Sequence, residues 1–164
     1  MNLEYNVTQS DNSLTPVMLV TGSAKRIGAA IIKTAHNQGY RVIIHCHQSE
    51  QDAQALATQL NHIRANSAAV IVADLVVVED SRALTEFTKD IISTFGQLDV
   101  LVHNASRFYP TPLGHITHGQ WNELFLTNAK VPLLLSQALL PYLEKQKGCI
   151  VSLLDIHAHD KPFS

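Results

Sequence analysis

The chain has 164 residues, 46% of them hydrophobic and 16% charged, with a formal net charge of −2. That composition excludes a disordered chain, and it lacks the basic excess by which proteins bind nucleic-acid phosphates. The length suits one domain with its own core. The nine histidines are scattered, with no metal-ligand spacing beside carboxylate or cysteine. Cys46 and Cys149 lie in apolar strand-like runs and read as buried free thiols of a reducing cytoplasm, with a disulfide as the alternative. No apolar run reaches the roughly 18 to 20 residues of a membrane span, and no secretory pattern opens the chain.

Residues 1–15 are polar and read as a flexible tail, leaving 16–164 for the domain. Val17–Val20 is a short strand, apolar throughout. It passes through Thr21–Gly28 into an apolar-periodic segment, Ile27–Ala35, so a strand, a glycine turn and a helix start follow directly. A helix N-terminus offers unpaired N–H groups and the positive end of a dipole, which suits a phosphate or pyrophosphate. Gly22 allows a positive φ, Gly28 lets the helix approach its strand, and Lys25 and Arg26 add two positive charges. An ordinary glycine-containing strand-to-helix turn is the alternative.

Gly39 is placed to end this helix, and Arg41–Cys46 reads as a second strand. Ser49 is placed to cap a helix over 50–63, with Ala53, Leu56, Ala57 and Leu60 on one face. Ala68–Ala73 is a third strand ending at Asp74. Leu75–Val78 reads as a loop leading into a helix over Ser81–Phe95, which Gly96 stops. Leu98–Val102 is the fourth strand, and Pro110 and Pro112 make Phe108–Gly114 a loop. Thr117 caps a long helix to about Lys147, in which Pro132 predicts a kink or break. Gly148 ends it, and Cys149–Leu154 is the fifth strand.

Five strands alternating with helices, several of them apolar throughout, describe a parallel sheet covered on both faces. Right-handed crossovers give an α/β, Rossmann-type doubly wound sheet of order 3-2-1-4-5. Ligands of such sheets bind beyond the carboxyl ends of the strands. The polar candidates gather there: Thr21–Gly28, His45–Ser49, Asp74, Asn104–Ser106 and Asp155–His157.

These residues resemble the short-chain dehydrogenase/reductase family, and within it the pteridine reductases. The family marks are Thr21-Gly22 with Gly28, Asp74, Asn104-Ala105 and Asn128 in the long helix. The narrower marks are Arg26, where most of the family carries glycine or alanine, the histidine-bearing loop His45–Ser49, the loop Asn104–Pro112, and Asp155-Ile156-His157-Ala158, with an aspartate where most of the family has its catalytic serine. The likeness covers roughly residues 17–160.

The resemblance implies a cofactor site built from Gly22, Lys25, Arg26, Ile27, Gly28, His45, His47, Gln48, Ser49, Asp74, Leu75, Asn104, Ala105 and Ser106. The loop after the second strand has no acidic residue to accept from a ribose 2′-hydroxyl. His45, His47, Gln48 and Ser49, with Lys25 and Arg26, suit a 2′-phosphate, so the implied cofactor is NADPH. Relatives with this loop often carry arginine where Gln48 stands. Surface histidines at a strand end are the plainer account of His45 and His47. Asp74 is the implied partner of the adenine and equally a turn aspartate. The implied substrate contacts are Ser106, Phe108, stacking on a flat pterin ring, and Asp155, hydrogen-bonding the ring N–H groups. The implied catalytic residues are Asp155 and Asn128, the latter holding a water of a proton relay. The plainer alternatives are a Phe108 covering the core edge, a solvent-facing Asn128 and a loop Asp155.

The resemblance also implies a tyrosine proton donor with a lysine four residues on, a dozen or so residues after the fifth strand. No such pair occurs before Ser164, and Tyr142 has Gln146 four residues on. The chain thus reads as about the first two-thirds of a pteridine reductase, with the final strands missing, its last strand an uncovered edge, and inactive by itself. The full-length protein is expected to be a cytoplasmic, homotetrameric NADPH-dependent reductase of a dihydropteridine, dihydrofolate or dihydromonapterin, with neither nucleic acid nor membrane as partner. The alternatives are a catalytically inactive nucleotide-binding fragment and a carbonyl or 3-oxoacyl reductase of the same family.

Overall fold

The computed structural model describes residues 15–154. Asp155, with the motif it opens, and the segment 1–14 lie outside the described residues. Strands β1 (Val17–Val20), β2 (Arg41–Cys46), β3 (Ala68–Val72), β4 (Val100–His103) and β5 (Cys149–Ser152) form one parallel sheet in the order β3-β2-β1-β4-β5. This is the doubly wound order expected from the sequence. Helices α1 (Arg26–Asn37), α2 (Glu50–Ile63), α3 (Ser81–Phe95), α4 (His118–Phe125) and α5 (Val131–Gln146) fill the connections.

Leu19, Ile43 and Leu101 pack with Ile91 of α3 and Leu135 and Leu139 of α5. Val20, Ile44 and Val102 pack with Ile32 of α1 and Leu56 and Leu60 of α2. Alternate residues of one strand thus feed opposite layers, which is why these strands have no polar face. Val20 lies in register with Ile44 on one side and Val102 on the other, so the loops after β1, β2 and β4 open at the same edge.

Local chemistry moves several boundaries from where the sequence placed them. Ser49 is the N-cap residue of α2, but its side chain makes no capping hydrogen bond; acidic Glu50 and Asp52 in the first turn complement the dipole instead. Leu75–Glu79 is a 3₁₀ turn rather than a loop, because the Asp74 carboxylate accepts from the Val76 N–H at 3.1 Å. Asp80 caps α3, one oxygen accepting from the Arg82 and Ala83 N–H groups at 2.8 Å each. β4 starts at Val100 rather than Leu98, and β5 stops at Ser152 rather than Leu154. Thr117 caps α4 in a capping box with Gln120.

The long helix is disturbed ahead of Pro132, not at it. Leu126–Lys130 forms a π-helical turn, and Pro132 follows in the first turn of α5. Lys147, not Gly148, takes the left-handed position at the end of α5, with φ of 53°. Gly148 answers a different need: a Cβ there would lie 2.2 Å from the Asp99 carbonyl oxygen. Cys46 is buried as expected, but Cys149 is exposed, because every residue of β5 is exposed. Within the helical run His118–Gln146, one 18-residue window has a mean hydropathy of 1.2, enough by length and composition to cross a membrane. Polar residues interrupt it, so no unbroken apolar stretch of that length occurs and only the window average meets the requirement. Its stripe Val131, Leu135, Leu139 and Leu143 is buried in the core.

Candidate functional site

The turn after β1 is fastened from several directions. Gly22 has φ of 61°, and a Cβ there would lie 3.0 Å from the Ala105 Cα. The Thr21 hydroxyl donates to the Val102 carbonyl at 3.3 Å and accepts from the Asn104 and Ala105 N–H groups at 3.0 Å each. The Asn104 amide donates to the Thr21 and Gly22 carbonyls, both at 2.9 Å. A Cβ on Gly28 would sit 2.6 Å from the Ser23 Cα, 2.7 Å from the Gly22 carbonyl oxygen and 2.7 Å from the Asn104 amide nitrogen. Only glycine fits there, because two of those three neighbours are backbone atoms.

His45, at 2% exposure, lies beneath the same turn. Its Nδ1 is 3.1 Å from the Gly22 nitrogen and its Nε2 is 3.1 Å from the Ala73 carbonyl oxygen. Nδ1 must accept from the Gly22 N–H, so the ring proton sits on Nε2 and is donated to Ala73. The His45 carbonyl accepts from the Ser23 N–H at 2.8 Å, and Phe87 meets the ring edge-on, its centroid 6.1 Å away. Burial pushes the imidazole pKa down to about 4 despite the hydrogen bond to Ala73, so the ring is neutral. This corrects both expectations for His45. It is not a surface residue, and neither ring nitrogen is open to a phosphate.

A cleft of about 680 Å³ opens beyond the strand ends. Gly22, Lys25, Arg26, Ile27, Gly28, His45, His47, Gln48, Asp74, Leu75, Asn104, Ala105 and Ser106 all line it, brought together from four loops. Ser49, expected among them, does not; it stands at the start of α2. Lys25 pairs with Asp52 of α2 at 2.9 Å, which offsets its charge. Arg26 holds φ of 50°, the left-handed region that glycine favours, so its backbone is strained where most of the resembled family has a small residue. His47 lies 3.7 Å from the Asp74 carboxylate.

The opposite rim is the loop after β4. The Asn128 amide accepts from the Arg107 N–H at 3.0 Å and donates to the Arg107 carbonyl at 2.7 Å. Asn128 is exposed, as its plainer reading expects, and both polar atoms of its side chain fasten this loop. The Arg107 guanidinium pairs with Glu123 at 2.9 Å, and the Tyr109 hydroxyl donates to the other Glu123 oxygen at 2.7 Å, a bond that raises the phenol pKa. Lys130 pairs with Glu79, joining the π-helical turn to the 3₁₀ turn. Phe108 is 67% exposed and is not among the residues lining the cleft.

Val76, Arg107, Leu126, Thr127 and Val131 line the cleft too, and sequence reasoning does not single them out. Val76 and Thr127 adjoin the marked residues Asp74-Leu75 and Asn128, and Arg107 stands inside the marked loop; adjacency is the one signal that finds them. Among the described residues no three His, Cys, Asp or Glu side chains gather to hold a metal ion.

Residues 16–161 match the family described as short chain dehydrogenase. The chain belongs to that family. This short chain dehydrogenase is 44% identical to pteridine reductase 1 of Leishmania tarentolae over 112 residues, covering 60% of this chain and 39% of that one. It is 28% identical to the 3-oxoacyl-[acyl-carrier-protein] reductase FabG of Staphylococcus aureus over 144 residues, covering 87% and 57%. Among solved structures, FolM alternative dihydrofolate reductase 1 from Brucella suis in complex with NADP superposes with a TM-score of 0.78 at 31% identity, covering 87% of this chain and 58% of that one. The chain thus spans between 39% and 58% of the length of these relatives.

Chemically, the cleft of this short chain dehydrogenase suits an elongated anionic ligand. One end offers Arg26 and the first-turn N–H groups of α1, which have no helical carbonyl to reach. The middle is floored by small, close-packed backbone at Gly22 and Ala105.

Proposed function

We propose that this chain forms the nucleotide-binding part of an NADPH-dependent reductase acting on a pteridine. The observation that carries the proposal is the convergence of Gly22–Gly28, His47-Gln48, Asp74-Leu75 and Asn104–Ser106 on one cleft. These residues fit a dinucleotide. Gly22 and Gly28 admit close backbone approach, the start of α1 receives a pyrophosphate, and Asp74 stands where an adenine would end. Arg26, His47 and Gln48 favour a 2′-phosphate over a 2′-hydroxyl. The NADP held by the Brucella suis relative supports the same assignment.

When bound, NADPH supplies the hydride. The chain's own residues position and enclose: Ala105 leaves room for the nicotinamide, Ser106 lies at the substrate side, and Asp155 hydrogen-bonds the pterin ring N–H groups and helps move a proton. A pteridine substrate is supported by the 44% identity to pteridine reductase 1 and by the Asn104–Pro112 loop. Turnover in the whole protein calls on a Tyr-x-x-x-Lys pair, which these 164 residues do not contain, and we place that protein in the cytoplasm as a homotetramer. A 3-oxoacyl reductase is the second reading, favoured by the 28% identity to the Staphylococcus aureus enzyme.

Fluorescence titration of the chain with NADPH and NADH tests the cofactor; tighter binding of NADH refutes it. In the whole protein, Asp155→Ser is expected to cripple dihydropteridine reduction. Unchanged pterin turnover with that variant would favour the 3-oxoacyl reading.

A further inference from the structure

Glycine has no intrinsic preference that would hold it at the φ of 61° seen at Gly22, so something outside the turn must hold it. The polar backbone groups of the turn divide between two fasteners. Asn104 takes the carbonyls of Thr21 and Gly22. His45 takes the N–H groups, Gly22 through Nδ1 and Ser23 through its own carbonyl. The Thr21 N–H goes to the Val102 carbonyl at 3.0 Å. With these bonds made, Thr21, Gly22 and Ser23 have no N–H left for an anion, and that task falls to the start of α1.

We propose that His45 is a positioning residue for the nucleotide cradle: by accepting the Gly22 N–H through Nδ1 it holds the turn open and leaves the N–H groups of Arg26, Ile27 and Gly28 to meet a pyrophosphate. The inference rests on the proposed function for the identity of the ligand, though not for the shape of the turn. The second nitrogen gives the device its reach. Nε2 is anchored on Ala73, the residue before Asp74, so the cradle after β1 and the turn after β3 are tied through one imidazole. Packing beneath Phe87 is the rival role, in which the ring fills space and its nitrogens are incidental.

Two variants of the 164-residue chain separate these roles. His45→Asn keeps an acceptor near the Nδ1 position and loses the Ala73 bond. His45→Gln keeps a donor near the Nε2 position and loses the Gly22 bond. NADPH affinity, read by fluorescence titration, is expected to stay within about threefold in His45→Asn and to fall about tenfold or more in His45→Gln. Hydrogen exchange at the Gly22 amide is expected to accelerate only in His45→Gln. Equal affinities in the two variants, or unchanged Gly22 exchange in His45→Gln, overturns the proposal. If the parent chain binds no NADPH, the proposed function fails, and the Gly22 exchange still decides the positioning role. Should His45→Gln not fold, ¹⁵N resonances of the parent imidazole decide: an unprotonated Nδ1 coupled to the Gly22 N–H supports the assignment, and a protonated Nδ1 overturns it.

Discussion

At Arg26 the backbone and the side chain make opposite demands. Arg26 lines the cleft, yet it sits at φ of 50°, which costs an L-residue roughly 1 kcal/mol that glycine does not bear. Arg26→Gly is therefore expected to leave thermal stability equal or higher while lowering NADPH affinity about tenfold, measured by melting and by fluorescence titration on one preparation. Gly28→Ala makes the opposite trade. Its Cβ meets backbone at 2.6 and 2.7 Å, so the turn must shift, and destabilisation of about 1–3 kcal/mol by urea unfolding is expected together with lost binding. Gly22 and Gly28 were legible in the sequence, because a strand-to-helix turn needs glycine at such spacing. The part played by His45 was not, because it depends on a ring nitrogen meeting an N–H from a residue 23 positions earlier.

Among the elements, α3 was readable to the residue: it spans Ser81–Phe95 with Gly96 as its stop, although the Asp80 cap was not singled out. The π-helical turn was not readable. A proline ring crowds the carbonyl four residues back, which for Pro132 is Asn128, and the helix widens there rather than bending at the proline. That widening places Asn128 against the backbone of Arg107 and so fixes the rim of the cleft. Asn128→Ala is expected to cost under about 1 kcal/mol of stability, since the bonds are exposed. Its larger effect falls on order: amide exchange at Arg107 is expected to accelerate while exchange along β4 stays as it was. Exchange mass spectrometry reads both segments in one experiment.

At the scale of the molecule, the sheet order followed from alternation and handedness alone, but the buried histidines followed from nothing local. His36, His45 and His103 are each buried, and burial lowers the pKa of all three, with the Arg64 guanidinium adding to the effect at His36. Geometry says why a second proton is disfavoured on each. His36 Nε2 is bonded to Ser67 Oγ at 2.7 Å and His103 Nε2 to Ser136 Oγ at 2.8 Å, while Nδ1 of each is buried with no partner among the described residues. A proton on His45 Nδ1 would face the Gly22 N–H, donor against donor. In the unfolded chain each titrates near 6.5, whereas His45 folded titrates near 4, so between those values the unfolded state binds more protons. Stability is therefore fully present above about pH 6.5 and lost as pH falls toward 4, with His45 contributing up to about 3 kcal/mol of the loss. Asp74 and His47 beside it act in opposite directions and leave burial in control. Urea unfolding from pH 7 to pH 4 is expected to show the midpoint falling on the acid side. His45→Asn should flatten that slope, having no imidazole to protonate; an unaltered slope would shift the acid sensitivity to other groups.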